Sequence, residues 1–234
     1  MTFNVRPITG EDHGKLRFRN QVDCNYAKDK HLLPVALVDF PAVAADMPIA
    51  FVKNAETGQF QPVAVTGLVP NENLFIDKGE WTSVYVPQSL AIYPFTLILD
   101  PQDTSRFLIG VDRNSALMSQ TEGDLLIDAE GNESEMLKAR KQRLVNLHQA
   151  NQLTQAFVQA LVEHDLLVEQ GITVKLQDQD QRISGLYLVD EKKLAALSDE
   201  DFLALRRRGF ISSIYAHILS LHQLARLAQR KSQR

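Results

Sequence analysis

Phe95-Thr96-Leu97-Ile98-Leu99 runs into Asp100-Pro101, and Phe107-Leu108-Ile109-Gly110-Val111 follows. Short runs rich in aromatic and β-branched residues between turn formers are the strand signal. The same pattern extends outward through the first half. Residues 33–39, 48–53, 62–69 and 82–86 read alike, and turn formers at 54–58, Pro70-Asn71 and Asp77-Lys78-Gly79 separate them. Gly79 can take a positive φ, so a tight hairpin is expected at 77–79. Prolines 34, 48, 62, 87 and 94 sit at run edges. A proline has no amide proton to give to a ladder, so these mark strand ends or edge strands.

The second half changes period. Asn132-Glu133-Ser134-Glu135 predicts a helix start, with Asn132 as the cap and Glu135 reaching back to it. Leu137, Leu144, Leu147, Leu153, Phe157, Leu161 and Leu166 recur at helical spacing, giving one long helix or two in series before Gly171. Residues 172–176 and 185–189 read as strands flanking the polar turn 177–182, so a second hairpin is expected there. Ser198 and three following acids predict another helix, ending at Arg206-Arg207-Arg208 before Gly209. Acid at its start and base at its end both suit the helix dipole. A final helix is predicted over 211–230. Its stripe of Ile211, Ile214, Ile218 and Leu221, widened by Tyr215, Leu224 and Leu227, should pack on a core.

These periods predict an α+β fold: an antiparallel-rich sheet system in the first half, packed by helices from the second. The expected organisation is a single domain over 1–234, with a β-rich lobe 1–130 and a helix-rich lobe 131–234 as the alternative division. With 234 residues, 44% hydrophobic and 23% charged, the chain has an ordinary globular composition. That excludes disorder and a disulfide framework, and Cys24 is the only cysteine. No run approaches the roughly 20 apolar residues a bilayer crossing requires. Residues 1–12 lack a basic stretch followed by an apolar one, so no signal peptide is expected. A soluble, cytoplasmic protein without membrane insertion is the expectation.

The net charge of −4 conceals an asymmetry. Residues 202–234 hold seven of the 25 basic side chains and no acid, leaving 18 bases and all 29 acids on the other 201. Such separation can attract an anionic partner, or the basic end can pack on the protein's own acidic body. A pI near 5.9 and the apolar stripe count against nucleic acid as the partner.

Motifs for chemistry are missing. There is no paired-cysteine or His-Glu-x-x-His zinc pattern, no glycine-rich phosphate loop and no Gly-x-Ser-x-Gly elbow. His217 and His222 would lie about 140° apart on a helix, a poor chelate. Cys24 has only Lys28 and Lys30 nearby in sequence to lower its pKa. No catalytic residue and no cofactor is assigned. His31, Asp39 and Asp46, on loops flanking predicted strands, are the candidate ligands of an alternative reading, a metal-assisted enzyme or oxidoreductase subunit.

Residues 67–95 are the most distinctive segment, with the only tryptophan, Trp81, and two of five tyrosines, Tyr85 and Tyr93. Rings with polar tips suit pockets and interfaces, and they also fill cores. The candidate ligand-binding residues are Asn73, Trp81, Tyr85 and Tyr93, with Asp77 shaping the turn beneath them.

The run Asn71-Glu72-Asn73-Leu74-Phe75-Ile76-Asp77, with Gly79 and Trp81, then Tyr85-Val86-Pro87 and Tyr93-Pro94-Phe95, resembles the bacterial SapC-like family. The resemblance extends upstream through Asp39-Phe40-Pro41 and Met47-Pro48-Ile49-Ala50-Phe51-Val52. Downstream it takes in Gly185-Leu186-Tyr187, Val189-Asp190-Glu191-Lys192, residues 194–205 and Ser220-Leu221. Two departures stand out: Asp39 where the family has Glu before Phe-Pro, and Gln88-Ser89-Leu90-Ala91 where members carry arginine. Any contact made by that arginine is missing here.

Members of the family are encoded beside flavin-dependent tryptophan-halogenase-like proteins, cupin-like oxygenases and outer-membrane receptors, and its name is linked to surface layers. The resemblance therefore implies an accessory role in a small-molecule or peptide pathway, or a surface-layer association, and brings no catalytic residues. The expected function is a soluble, non-catalytic binding or accessory protein. Its expected partner is an unidentified protein or small molecule, and a homo-oligomer is a further expectation.

Overall fold

The computed structural model describes residues 4–8, 15–103, 106–176 and 180–234. The fold is α+β, with antiparallel strand pairing throughout. The chain forms two compact units that interleave along the sequence: residues 1–27 with 90–149, and residues 28–89 with 150–234. The units are thus not an amino-terminal and a carboxyl-terminal lobe. The long helix Glu135–Glu163 supplies its first part to one unit and its second part to the other.

The first unit is built on the two runs that open the sequence argument. Phe95–Leu99 and Phe107–Asp112 pair antiparallel from Phe95 opposite Val111 to Leu99 opposite Phe107. Val5–Pro7 adds to the other side of Phe107–Asp112, which becomes the central strand. Phe18, Phe95, Val111, Leu117, Leu126, Leu137 and Leu144 form the core, with Phe18 edge-on to Phe95 at 5.0 Å. The long helix starts at Glu135 because the Ser134 hydroxyl accepts the Leu137 amide proton at 3.2 Å. Ser134 therefore takes the capping place that the sequence offered to Asn132.

The second unit is organised by a five-stranded sheet in the order Leu167–Glu169, Leu186–Val189, Ile49–Lys53, Phe60–Val65, Leu32–Pro34. Ile49, Ala50 and Phe51 are wholly buried in succession. A strand covered on both faces reads as a continuous apolar run, and so this one was legible. Phe40, Met47, Phe157, Leu161, Phe210 and Ile214 complete the core.

Three local expectations fail here. Residues 33–39 are not one strand: Leu32–Pro34 gives way to a 3₁₀ turn, Leu37–Asp39, and the helix Phe40–Ala44. Pro41 in the first turn of that helix needs no amide partner. Residues 172–176 and 185–189 do not pair with each other. Ile172–Lys175 pairs with Asp180–Ile183, while Leu186–Val189 joins the large sheet; residues 177–179 of the expected turn lie outside the described residues. The final helix is two, Phe210–Ser220 and Gln223–Ser232, and Tyr215 is exposed rather than part of the packing stripe.

One side chain joins helix and sheet. The register of Leu186–Val189 against Ile49–Lys53 places Leu186 opposite Val52 and Tyr187 opposite Phe51, and continuing it would bring Val189 opposite Ile49. There the His217 imidazole inserts instead. Its Nδ1 donates to the Ile49 carbonyl at 2.9 Å, and its Nε2 accepts from the Val189 amide at 3.1 Å. The neighbouring Ser220 hydroxyl accepts the Ile49 amide proton at 2.8 Å. Protonation of Nε2 would set a donor against a donor, and burial moves the pKa down to about 4.

The unfolded chain binds a proton on His217 below about pH 6.5, whereas the folded chain does so only near pH 4, so stability falls across that window. Denaturant unfolding between pH 7 and 4 should lose about 3 kcal/mol through this group. His217→Gln should flatten that part of the profile, because an amide keeps a donor and an acceptor without the titration.

Candidate functional site

The loop after Phe60–Val65 curls tightly onto the second unit. The amides of Thr66 and Gly67 both donate to the His31 carbonyl, at 2.8 and 3.1 Å, and the Leu74 amide returns to Thr66 at 2.7 Å. A Cβ at Gly67 would lie 2.4 Å from the Glu72 carbonyl oxygen, so only glycine fits. Leu68, Leu74 and Phe75 are buried by this fold-back. The hairpin Ile76–Asp77 with Glu80–Trp81 follows. Lys78 and Gly79 both have positive φ (48° and 84°), the two-residue turn whose twist matches the strands.

Most candidate side chains are tied down by their own chain. Asn73 is buried, and its side-chain oxygen accepts the Phe75 amide proton at 2.9 Å. Trp81 is half-buried and stacks on Phe75 at 5.8 Å, and its indole N–H donates to the Tyr85 carbonyl at 3.0 Å. Tyr85 is half-buried, and its hydroxyl donates to Asp39 Oδ1. Asp39 is wholly buried, and its Oδ2 accepts the Ala36 amide proton at 2.8 Å. Asp77 is exposed at the hairpin tip. Residues 82–86 do not form the expected strand, because ladder pairing ends at Trp81.

The basic carboxyl-terminal helix packs onto this segment. Arg226 reaches Asp46 at 3.1 Å, with Arg230 at 4.0 Å from the same oxygen. The Arg230 guanidinium sits 4.3 Å from the Phe75 ring centroid and donates to the Thr82 hydroxyl at 2.8 Å. Lys231 pairs with Glu72, whose other oxygen accepts the Leu68 amide proton at 2.9 Å. Arg234 donates to the Asn73 carbonyl at 3.0 Å and to that of Ile76. Burial lowers the His31 pKa below the ordinary imidazole value, and the Glu72 charge partly restores it.

Tyr93 belongs to the first unit, apart in the chain's organisation from the other four candidates. Its ring lies parallel to Tyr26, with centroids 3.7 Å apart and planes 6° apart. Its hydroxyl donates to Asp112 Oδ2 at 3.0 Å, and Asp112 Oδ1 accepts the amide protons of Asn4 and Asn114. Nearby, the Ser115 hydroxyl donates to buried Asp23 at 3.1 Å. Burial above all, then the neighbouring carboxylates, push both phenols above their ordinary pKa. The two carboxylates thus brace a turn and a ring pair through hydrogen bonds.

Among the described residues, no three His, Cys, Asp or Glu side chains converge to hold a metal ion. Asp39 serves its turn, Asp46 serves the carboxyl-terminal helix, and His31 supplies backbone to the loop. What the sequence did not mark is the exposure of two valines, Val84 on this segment and Val38 on the turn before the helix Phe40–Ala44. Val84 is wholly exposed between Trp81 and Tyr85, and Val38, beside Asp39, is 57% exposed. The carboxyl-terminal clamp did leave a signal: Arg226, Arg230 and Arg234 fall four apart, on one helical face.

No helix among the described residues is long and apolar enough to cross a membrane. No curated protein and no solved structure matches the chain. If the clamp fixes the aromatic segment, Arg230→Ala should cost about 1–2 kcal/mol by denaturant unfolding, from the lost cation–π contact and hydrogen bond. The emission of Trp81, the only tryptophan, reports it. The SapC family profile matches residues 8–227, nearly the whole length and both units, and the chain belongs to the SapC family.

Proposed function

We propose that this protein is a non-catalytic binding or accessory protein, and that it recognises its partner through the apolar surface at Val84 and Val38. The observation that carries this reading is Val84, fully exposed on a segment whose neighbours are held in place. An isolated exposed valine needs no explanation. This one lies between two aromatic residues whose polar atoms are bonded internally, through Trp81 to the Tyr85 carbonyl and Tyr85 to Asp39. The Tyr85–Asp39 bond also ties the loop carrying Val84 to the turn carrying Val38. A patch held on a rigid frame loses little entropy when it is covered.

In this reading Trp81 and Tyr85 frame the surface, Asn73 shapes the loop beneath it, and Asp77 offers an exposed carboxylate at the hairpin tip. Tyr93 has a bracing role within its own unit. The partner is a protein or small molecule with a complementary apolar group. The family resemblance suggests a pathway served by a flavin-dependent, halogenase-like enzyme.

The test compares quantitative affinity capture by the wild type, by Val84→Asp and by Val162→Asp, which alters an exposed apolar residue elsewhere. A partner retained by the wild type and by Val162→Asp, and lost from Val84→Asp, supports the proposal. Equal capture by all three contradicts it.

A further inference from the structure

We infer that the first unit holds a site for an oxyanion, a carboxylate or phosphate group, at the buried Arg140 guanidinium beside Asn20. The proposed recognition surface belongs to the second unit, so this site does not rest on it.

Arg140 lies on the part of the long helix that belongs to the first unit, and it is only 8% exposed. Leu137 and Leu144, one turn to either side, are buried in that unit's core, so Arg140 sits on the packed face of the helix. Arginine is almost never buried to this degree without an acid beside it. Desolvating a charge is costly, and a partner of opposite sign ordinarily offsets the cost. Among the described residues, no carboxylate forms an ion pair with Arg140. The acids at the start of the helix are committed elsewhere. Glu135 pairs with Lys138 at 2.7 Å and Glu133 with Lys141 at 3.2 Å, and both lysines are exposed. In this stretch the exposed lysines are matched and the buried guanidinium is not. The charged neighbour that acts on it is Arg143, a like charge three residues on. Burial first, and then Arg143, lower the Arg140 pKa from the ordinary arginine value.

Neutral groups hold the guanidinium in place. Nη1 donates to the Ala91 carbonyl at 2.9 Å, and Nη2 donates to the Asn20 side-chain oxygen. The cation also lies over the Phe18 ring, 4.7 Å from its centroid. These contacts orient the fork without neutralising it. An arginine has five N–H groups, and two of those on Arg140 have acceptors among the described residues. A carboxylate or phosphate accepts two parallel bonds from such a fork, each about twice as strong as a neutral one. Because the fork is already held, little rotamer freedom remains to be lost on binding.

Asn20 marks the way in. Its residue is exposed while Arg140 is buried, so Nη2 lies directly behind a surface side chain. A neutral oxygen stands there at the end of the fork, where a charged oxygen would bond more strongly. An oxyanion arriving from the surface takes that place when the Asn20 side chain swings aside.

Isothermal titration of the full chain with sodium phosphate, and separately with sodium acetate, tests the inference. Ionic strength is held constant with sodium chloride. The wild type should bind at least one of the two anions with a dissociation constant of about 1–10 mM. Binding of phosphate alone points to a phosphate-bearing ligand, and binding of acetate alone to a carboxylate. Asn20→Asp supplies an internal carboxylate to Nη2 from an exposed position, and should weaken binding by about tenfold or more. Lys138→Gln removes an exposed charge from the same helix, and should leave binding within about twofold. Both variants should keep the wild-type circular dichroism spectrum. Failure of the wild type to bind either anion, equal binding by Asn20→Asp, or an equal loss in Lys138→Gln would each overturn the inference.

Discussion

A carboxylate with no contact with water anchors the second unit. Asp39 is wholly buried, and its oxygens receive the Tyr85 hydroxyl and the Ala36 amide. A buried carboxylate without such donors is costly, so the groups that satisfy it are held firmly. That requirement joins two stretches 46 residues apart in the chain. It fixes the turn before the helix Phe40–Ala44 and the loop after Trp81. Val38 and Val84 gain their definite positions from it, though neither takes part in the bond.

The charge asymmetry resolves in the same unit. The basic end is not a free tail: Leu227 is buried, and Arg226, Arg230, Lys231 and Arg234 all bond to the body of the protein. Asp46 and Glu72 supply the opposite charge. Paired basic groups of this kind explain the composition of the last helix without an anionic ligand. The segment they cover has short strands and little core of its own, so contacts from a distant helix contribute much of its order. The aromatic stack of Phe75 and Trp81 lies under that helix.

Legibility differed from element to element. Ile49–Lys53, Phe95–Leu99 and Phe107–Asp112 were plain in the sequence because their apolar runs are bounded by turn formers. The hairpin at Lys78-Gly79 was plain because its turn requires positive φ. Strand partners were not, since periodicity gives a strand's faces and not its neighbour; hence Leu186–Val189 was matched to the wrong strand. The interleaving of the two units was hidden because the sequence carries no mark at 27/28, 89/90 or 149/150. That also explains why Tyr93, close in sequence to Trp81 and Tyr85, belongs to a different unit. At the candidate site, ring-bearing residues could be read directly, whereas the exposure of Val84 depends on the end of a ladder at Trp81. Family resemblance extended across most of the chain and named no chemistry.

The most direct test of the account is the coupling free energy between Asp39 and Tyr85, from a double-mutant cycle of Asp39→Asn, Tyr85→Phe and the pair, by equilibrium unfolding. An amide at position 39 still accepts the Ala36 proton, so the cycle measures what the carboxylate oxygen, in place of an amide nitrogen, contributes to the bond with the phenol. A buried hydrogen bond to a charged group predicts a coupling of about 1.5–3 kcal/mol. A coupling within about 0.5 kcal/mol of zero would mean that this bond does not hold the aromatic segment in place.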